Sequence, residues 1–241
     1  MRIMDVVRRF PHSDRSVTGV GRPRLARSPR FGGARSPGDI DSTMIFSFVR
    51  SGESEFDEVR AFPTNMVEHV KSSVRPLARG QMHSPSKTVL SVQFAGELLS
   101  IPYRVYYDER RLVKAMDRPD ETALVALCLG TRHYDGFIRE RCLRRLLAFD
   151  ENWTAPFVVP LLGEYVIEVI QPIHERFIDG VETKYIEFFT HNIKYCQYLE
   201  QRATSYWNEY YRSQFLKRTD YPAVKALVAL KAAASIVDDA T

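Results

Sequence analysis

At Pro102 the spacing of apolar residues changes from two to about 3.6 and does not change back, which restricts the chain to folds in which a small β element precedes a helical body. Before that point, 88–94 and 97–101 flank Ala95-Gly96, the two-residue spacing of a β-hairpin. Pro102 closes the second strand because it has no N–H to give to a ladder. The predicted class is mainly α, with an N-terminal β-hairpin. At 241 residues and 44% apolar composition the chain can bury a core, so wholesale disorder is excluded.

Helical spacing then fixes the expected elements. A strand or extended anchor is predicted at 45–49 and a helix at 65–77. Asp120 is placed to cap a helix carrying Leu124, Leu127 and Cys128, and Gly130 to end it in a left-handed conformation. A second helix, 137–147, has Ile138, Cys142, Leu143, Leu146 and Leu147 on one stripe and Arg139, Glu140, Arg141, Arg144 and Arg145 on the wet side. Thr154 is a candidate cap for a third, with Pro160 and Gly163 predicting a break before residue 164. No Pro or Gly interrupts 181–216, which predicts one long aromatic helix on the order of 50 Å. A last helix, 223–237, is expected to turn Val224, Leu227, Val228 and Ala232 inward and Lys225 and Lys231 outward.

Charge divides the chain. Residues 1–43 hold nine Arg, no Lys and four Asp, a balance of +5, which leaves −1 of the total +4 for 44–241. That segment, rich in Arg, Gly, Pro and Ser, is expected to be a disordered tail. Four readings stay open for it: sequence preceding a natural start at Met44, an arginine-rich nucleic-acid arm, a presequence, or a linker. The remainder, 44–241, reads as one globular domain with a hairpin-containing part (44–105) and a helical part (106–241). Cys128, Cys142 and Cys196 are too few and too scattered for a disulfide framework or zinc knuckle, which predicts a reduced, cytoplasmic setting. The most apolar stretch, 155–173, carries Glu164, Glu168 and three prolines, so no membrane span is expected.

The text at 135–146, opening Asp135-Gly136-Phe137-Ile138-Arg139-Glu140, followed at 155–169 by Ala155-Pro156-Phe157 and Leu161-Leu162, resembles bacterial HEAT-type helical repeats. The resemblance covers 120–175. It implies a short array of helical hairpins acting as a binding surface, with no cofactor. It departs from the pattern at Glu168-Val169-Ile170, where a basic residue would follow the valines, and no period of about 40 residues recurs before residue 120.

Two groups of residues stand out as interaction candidates. The first is Arg132-His133-Tyr134-Asp135 with Arg139. His133 has the makings of a general base steered by Asp135, with the arginines receiving a phosphate or carboxylate. The favoured reading makes Asp135 a helix cap paired with Arg139, with His133 and Tyr134 on an exposed turn. An enzyme would require this group to converge with Glu164 or Glu168, which lie four apart and would share a face if helical. No His stands at a metal-ligand spacing from them, so no metal is expected. The second group is Tyr195, Tyr198, Tyr206, Trp207, Tyr210 and Tyr211, more large amphipathic aromatics than one buried face needs.

Together these features predict a non-catalytic protein acting by contact with a protein partner or a second copy of itself. The rival is a nucleic-acid binder, since some HEAT-like proteins of this size are DNA-repair glycosylases. Against it, acidic residues interleave the basic ones along 181–218.

Overall fold

The computed structural model describes residues 57–238; the tail at 1–43 and the expected strand at 45–49 lie outside the described residues. Among the described residues the fold is mainly α, with a single two-stranded antiparallel sheet. The order is α1 (Val67–Ala78), β1 (Val89–Phe94), β2 (Glu97–Pro102), α2 (Glu109–Met116), α3 (Glu121–Gly130), α4 (Gly136–Leu146), α5 (Ala155–Val158), α6 (Ile167–Ile178), α7 (Thr183–His191), α8 (Ile193–Tyr206) and α9 (Pro222–Asp238).

The hairpin forms where the sequence places it. Ala95 and Gly96 both adopt positive φ, 48° and 81°, the handedness that a two-residue loop needs to match strand twist. The register pairs Leu90 with Ile101 and Val92 with Leu99, so four apolar side chains enter the core from one face. Asp120 and Asp135 cap α3 and α4, their carboxylates accepting from the N–H groups of Thr122 and Phe137. Helix α3 is buried on every side from Ala123 to Gly130 and packs against α1, α2 and α4. A helix with no wet face belongs at the centre of a fold, and the rest is arranged around it.

Four local expectations give way to tertiary causes. Gly130 does not adopt a left-handed conformation. It closes α3 because α4 crosses there so tightly that a Cβ would stand 2.3 Å from Cys142 Sγ. Thr154 does not cap; its hydroxyl donates to the Glu151 carbonyl, and 152–163 runs as short turns around the four-residue α5 rather than as the full second helix of a repeat pair. In α9, Val228 and Ala232 point outward, while Ala226, Leu230 and Ala234 join Val224 and Leu227 in the contact with α6, α7 and α8.

The fourth difference concerns the aromatic run. The expected long helix is divided at Asn192, whose φ of −131° takes it out of helical geometry between α7 and α8. There its side-chain amide clasps strand β1, with Gln93 N–H donating to Oδ1 at 2.7 Å and Nδ2 donating to the Gln93 carbonyl at 2.9 Å. The amide therefore supplies β1 with the two bonds that a third strand would otherwise provide. A π-helical turn, Trp207–Tyr211, then ends the run.

Two outcomes follow. Gly130→Ala lowers unfolding free energy by about 1–3 kcal/mol through overpacking, against the gain that alanine brings in an open helix, and Cys142→Ala in the same chain restores part of the loss. Asn192→Ala leaves both Gln93 backbone groups without their partner and costs about 1–3 kcal/mol in urea unfolding, with faster amide exchange concentrated in β1.

Candidate functional site

After β2 the chain continues beside the turn that follows α3. Val105 N–H donates to the Arg132 carbonyl and Tyr134 N–H to the Val105 carbonyl, each at 3.0 Å, which sets Arg104 and Arg132 side by side. Pro160 and Gly163 interrupt the helix on the facing side and leave Glu164 in extended backbone, its side chain directed into the protein. At Gly163 a Cβ would stand 2.6 Å from Leu199 Cδ2 and displace that buried side chain, and the Gly163 carbonyl accepts from Arg202 Nε at 3.0 Å.

The Glu164 carboxylate is 3% exposed and gathers arginines from three parts of the chain. Arg104 Nη2 donates to Oε2 at 3.0 Å and Arg132 Nη2 to Oε1 at 3.2 Å, while Arg139 Nη2 lies 3.9 Å from Oε2. Burial pushes the carboxyl upward, but Arg104, Arg139 and Arg132 together outweigh it and hold Glu164 below its ordinary 4.5. Burial lowers both Arg139 and Arg132, the latter to about 10, so each remains a cation at neutral pH. Arg139 also donates from Nη1 to the carbonyls of His133 and Tyr134, clamping the turn before α4.

Of Arg132, His133 and Asp135, which an enzyme would need to converge on Glu164 or Glu168, Arg132 alone bonds to Glu164, and His133 is held elsewhere. The ring is buried rather than on an exposed turn. Its Nδ1 accepts from Asp135 N–H at 3.1 Å, which makes Nε2 the protonated nitrogen, donating to the Tyr107 carbonyl at 3.0 Å. Burial lowers its pKa, so the neutral ring is a structural strut. Asp135 caps α4 as expected, but Arg139 is drawn inward to Glu164 instead of pairing with it. Glu168 lies exposed on α6, away from the buried Glu164, so the two do not form a carboxylate pair.

The six aromatics also separate by role. Tyr195 is buried in the core. Trp207 donates to the Phe215 carbonyl at 2.8 Å; Tyr211 stacks on Tyr221 and donates to the Tyr165 carbonyl at 2.6 Å, so these two pin the chain reversal before α9. Tyr198, Arg202, Tyr206 and Tyr210 instead form one ridge at four-residue spacing. Arg202 donates to the hydroxyls of Tyr198 and Tyr206 at 3.1 and 2.7 Å, and the exposed rings of Tyr165 and Tyr210 extend the cluster. Sequence reading missed Arg104 and Arg202 as members of the site. The four-residue interval linking Arg202 to Tyr198 and Tyr206 was the available signal; Arg104 had none.

No protein-family model, curated protein or solved structure matches this chain. Among the described residues no three His, Cys, Asp or Glu side chains are grouped to hold a metal ion, and no helix is long and apolar enough to cross a membrane. The three cysteines are free and buried; burial pushes Cys142 and Cys196 up to about 12 and Cys128 well above its ordinary value, leaving no thiolate for nucleophilic work at neutral pH.

Glu164→Gln strands two buried guanidiniums, Arg132 and Arg139, and one half-buried, Arg104, and costs about 3–5 kcal/mol at pH 7. Because the native carboxyl pKa lies below the unfolded one, its stabilisation is present above about pH 4.5 and is lost as pH falls through the native value. Urea unfolding from pH 7 to pH 3 therefore shows the gap between wild type and variant narrowing below about pH 4.5.

Proposed function

We propose that this is a non-catalytic interaction protein that engages a protein partner through the aromatic–arginine ridge. The observation carrying this reading is the cluster of Tyr165, Tyr206 and Tyr210 around Arg202. Tyr165 and Tyr210 are 43% and 46% exposed, and their ring centroids are 6.3 Å apart. Tyrosine and arginine are the side chains that concentrate binding energy at protein interfaces, because each covers a large area with few torsions and carries a polar tip. Hydrogen bonds to Tyr198 and Tyr206 already fix Arg202, so little freedom remains to be lost on binding. Phe137, 62% exposed at the start of α4, and Tyr134, 46% exposed, supply further apolar surface on the elements that carry Arg139 and Arg132.

The charge pattern favours a protein over a nucleic acid. Residues 44–241 carry a balance of −1, and the arginines of the cluster are buried or half-buried around Glu164 and so do not line the surface as a stripe. Nucleic-acid affinity scales with phosphates neutralised, which calls for unspent cations along a stripe.

The test compares the full chain with a Tyr165→Ala/Tyr210→Ala variant, which removes exposed rings and leaves the buried cluster in place. Expected is a protein retained by the wild type and lost, by about tenfold or more in affinity, from the double variant of unchanged Tm. Salt-sensitive shifts of DNA or RNA by a chain beginning at Met44 would favour the rival instead.

A further inference from the structure

The chain reversal before α9 carries a local excess of positive charge. Residues 212–218, Arg212-Ser213-Gln214-Phe215-Leu216-Lys217-Arg218, hold three cations and no acid, +3 against −4 for the remainder of 44–241. All three cations are exposed, and so is Leu216, at 84% the most exposed large apolar side chain among the described residues. One exposed leucine needs no explanation by itself. This one is held outward by fixed neighbours, in the company of an indole and two guanidiniums.

Phe215 N–H donates to the Tyr211 carbonyl at 2.8 Å, and the Phe215 ring packs against Tyr211 and Tyr221, so residue 215 turns inward and residue 216 outward. Trp207 Nε1 donates to the Phe215 carbonyl, which puts the half-buried indole beside the peptide bond leading into Leu216. The Arg212 guanidinium lies over the Trp207 ring, 5.7 Å from its centre, and reaches Asn208, while Arg218 reaches Thr204 Oγ1 at 3.4 Å. Positions 204, 207 and 208 share one face of the helix end, so the two arginines flank the indole. Among the described residues Glu209 and Asp220, the nearest acids in sequence, form no ion pair with Arg212, Lys217 or Arg218.

An apolar tip among cations, backed by an indole, matches the layered chemistry of a membrane surface. Acyl chains take the leucine, the headgroup level takes the tryptophan, and anionic headgroups take the arginines and lysine. A nucleic acid would use the cations and the indole but leave Leu216 in water. We propose that the 207–218 reversal docks on the surface of an anionic lipid bilayer, with Leu216 inserted among the acyl chains. The contacts that fix Phe215 and Trp207 leave little freedom to be lost on docking. The docking uses neither Tyr165 nor Tyr210 of the protein-binding ridge, and its measurement needs no protein partner.

The full chain is sedimented with large vesicles of phosphatidylcholine, alone or with about one-third phosphatidylserine. Expected is binding to the mixed vesicles only, weakened by rising salt and by about fivefold for each of Lys217→Gln and Arg218→Gln. Leu216→Ser, at an exposed site where it leaves Tm unchanged, lowers the partition coefficient by about tenfold. The nine arginines of 1–43 attract the same vesicles equally in every variant, so the comparison isolates the tip. Insertion is read separately from Leu216→Trp, whose emission is quenched by lipids brominated on their acyl chains in excess of the wild type, which has Trp153 and Trp207. No binding to mixed vesicles, a Leu216→Ser variant that binds as the wild type does, or no excess quenching of Leu216→Trp overturns the proposal. Binding to a DNA duplex that depends on Lys217 and Arg218, with vesicle binding indifferent to Leu216, identifies a phosphate contact instead and likewise overturns it.

Discussion

The Glu164 carboxylate is the point on which separate parts of the chain agree about where to sit. One oxygen meets Arg104, from the segment leaving the hairpin, and comes within ion-pair range of Arg139 at the start of α4; the other meets Arg132, from the turn after α3. None of these contacts is local in sequence: Arg104 and Arg132 lie 60 and 32 residues from Glu164. Burying charges is expensive, and an apolar filling of the same volume is often as stable. What the cluster supplies is discrimination, since any shift of the hairpin or of α4 strands a guanidinium in the interior.

The second half of the fold is joined to the first by polar contacts of the same kind. Asn192 leaves helical geometry to serve the Gln93 backbone, and Arg202 reaches the Gly163 carbonyl one residue before Glu164. Both act where a helix has been interrupted. The interruption at Asn192 re-aims α8 relative to α7, and the break after Gly163 frees Glu164 to face inward. Arg202 then connects the buried charges to the outer tyrosines, donating to a backbone carbonyl with Nε and to Tyr198 and Tyr206 with its other two nitrogens.

Legibility followed the range of the forces involved. The hairpin at Ala95-Gly96 and the caps at Asp120 and Asp135 depend on a few neighbouring residues, so turn chemistry and cap preference located them. Arg132, Arg139 and Glu164 are legible as notable polar residues, but the pairing of both arginines with Glu164, rather than of Arg139 with Asp135, is not. Arg139 sits between half-buried Glu140 and buried Ile138, and helical periodicity alone assigns it to the solvent. By its neighbours His133 reads as an exposed turn residue, or as a base, yet its ring is buried and held by the carbonyl of Tyr107, 26 residues away. Gly130 shows the same limit: its need for a missing side chain comes from Cys142 on the next helix, and a left-handed cap was the only local explanation on offer.

The sequence by itself determined the class of fold, the position of the hairpin, the limits of α1, α3, α4 and α9 and the presence of more tyrosines than a core consumes, because apolar period and turn preference are properties of short stretches. Only the tertiary structure decided which polar residues are buried together, where the aromatic run breaks and which of its rings stay exposed. Those outcomes depend on desolvation and on close approach between segments far apart in the chain. A guanidinium surrounded by protein must find a carboxylate wherever the packing brings one, and no local pattern records where that is.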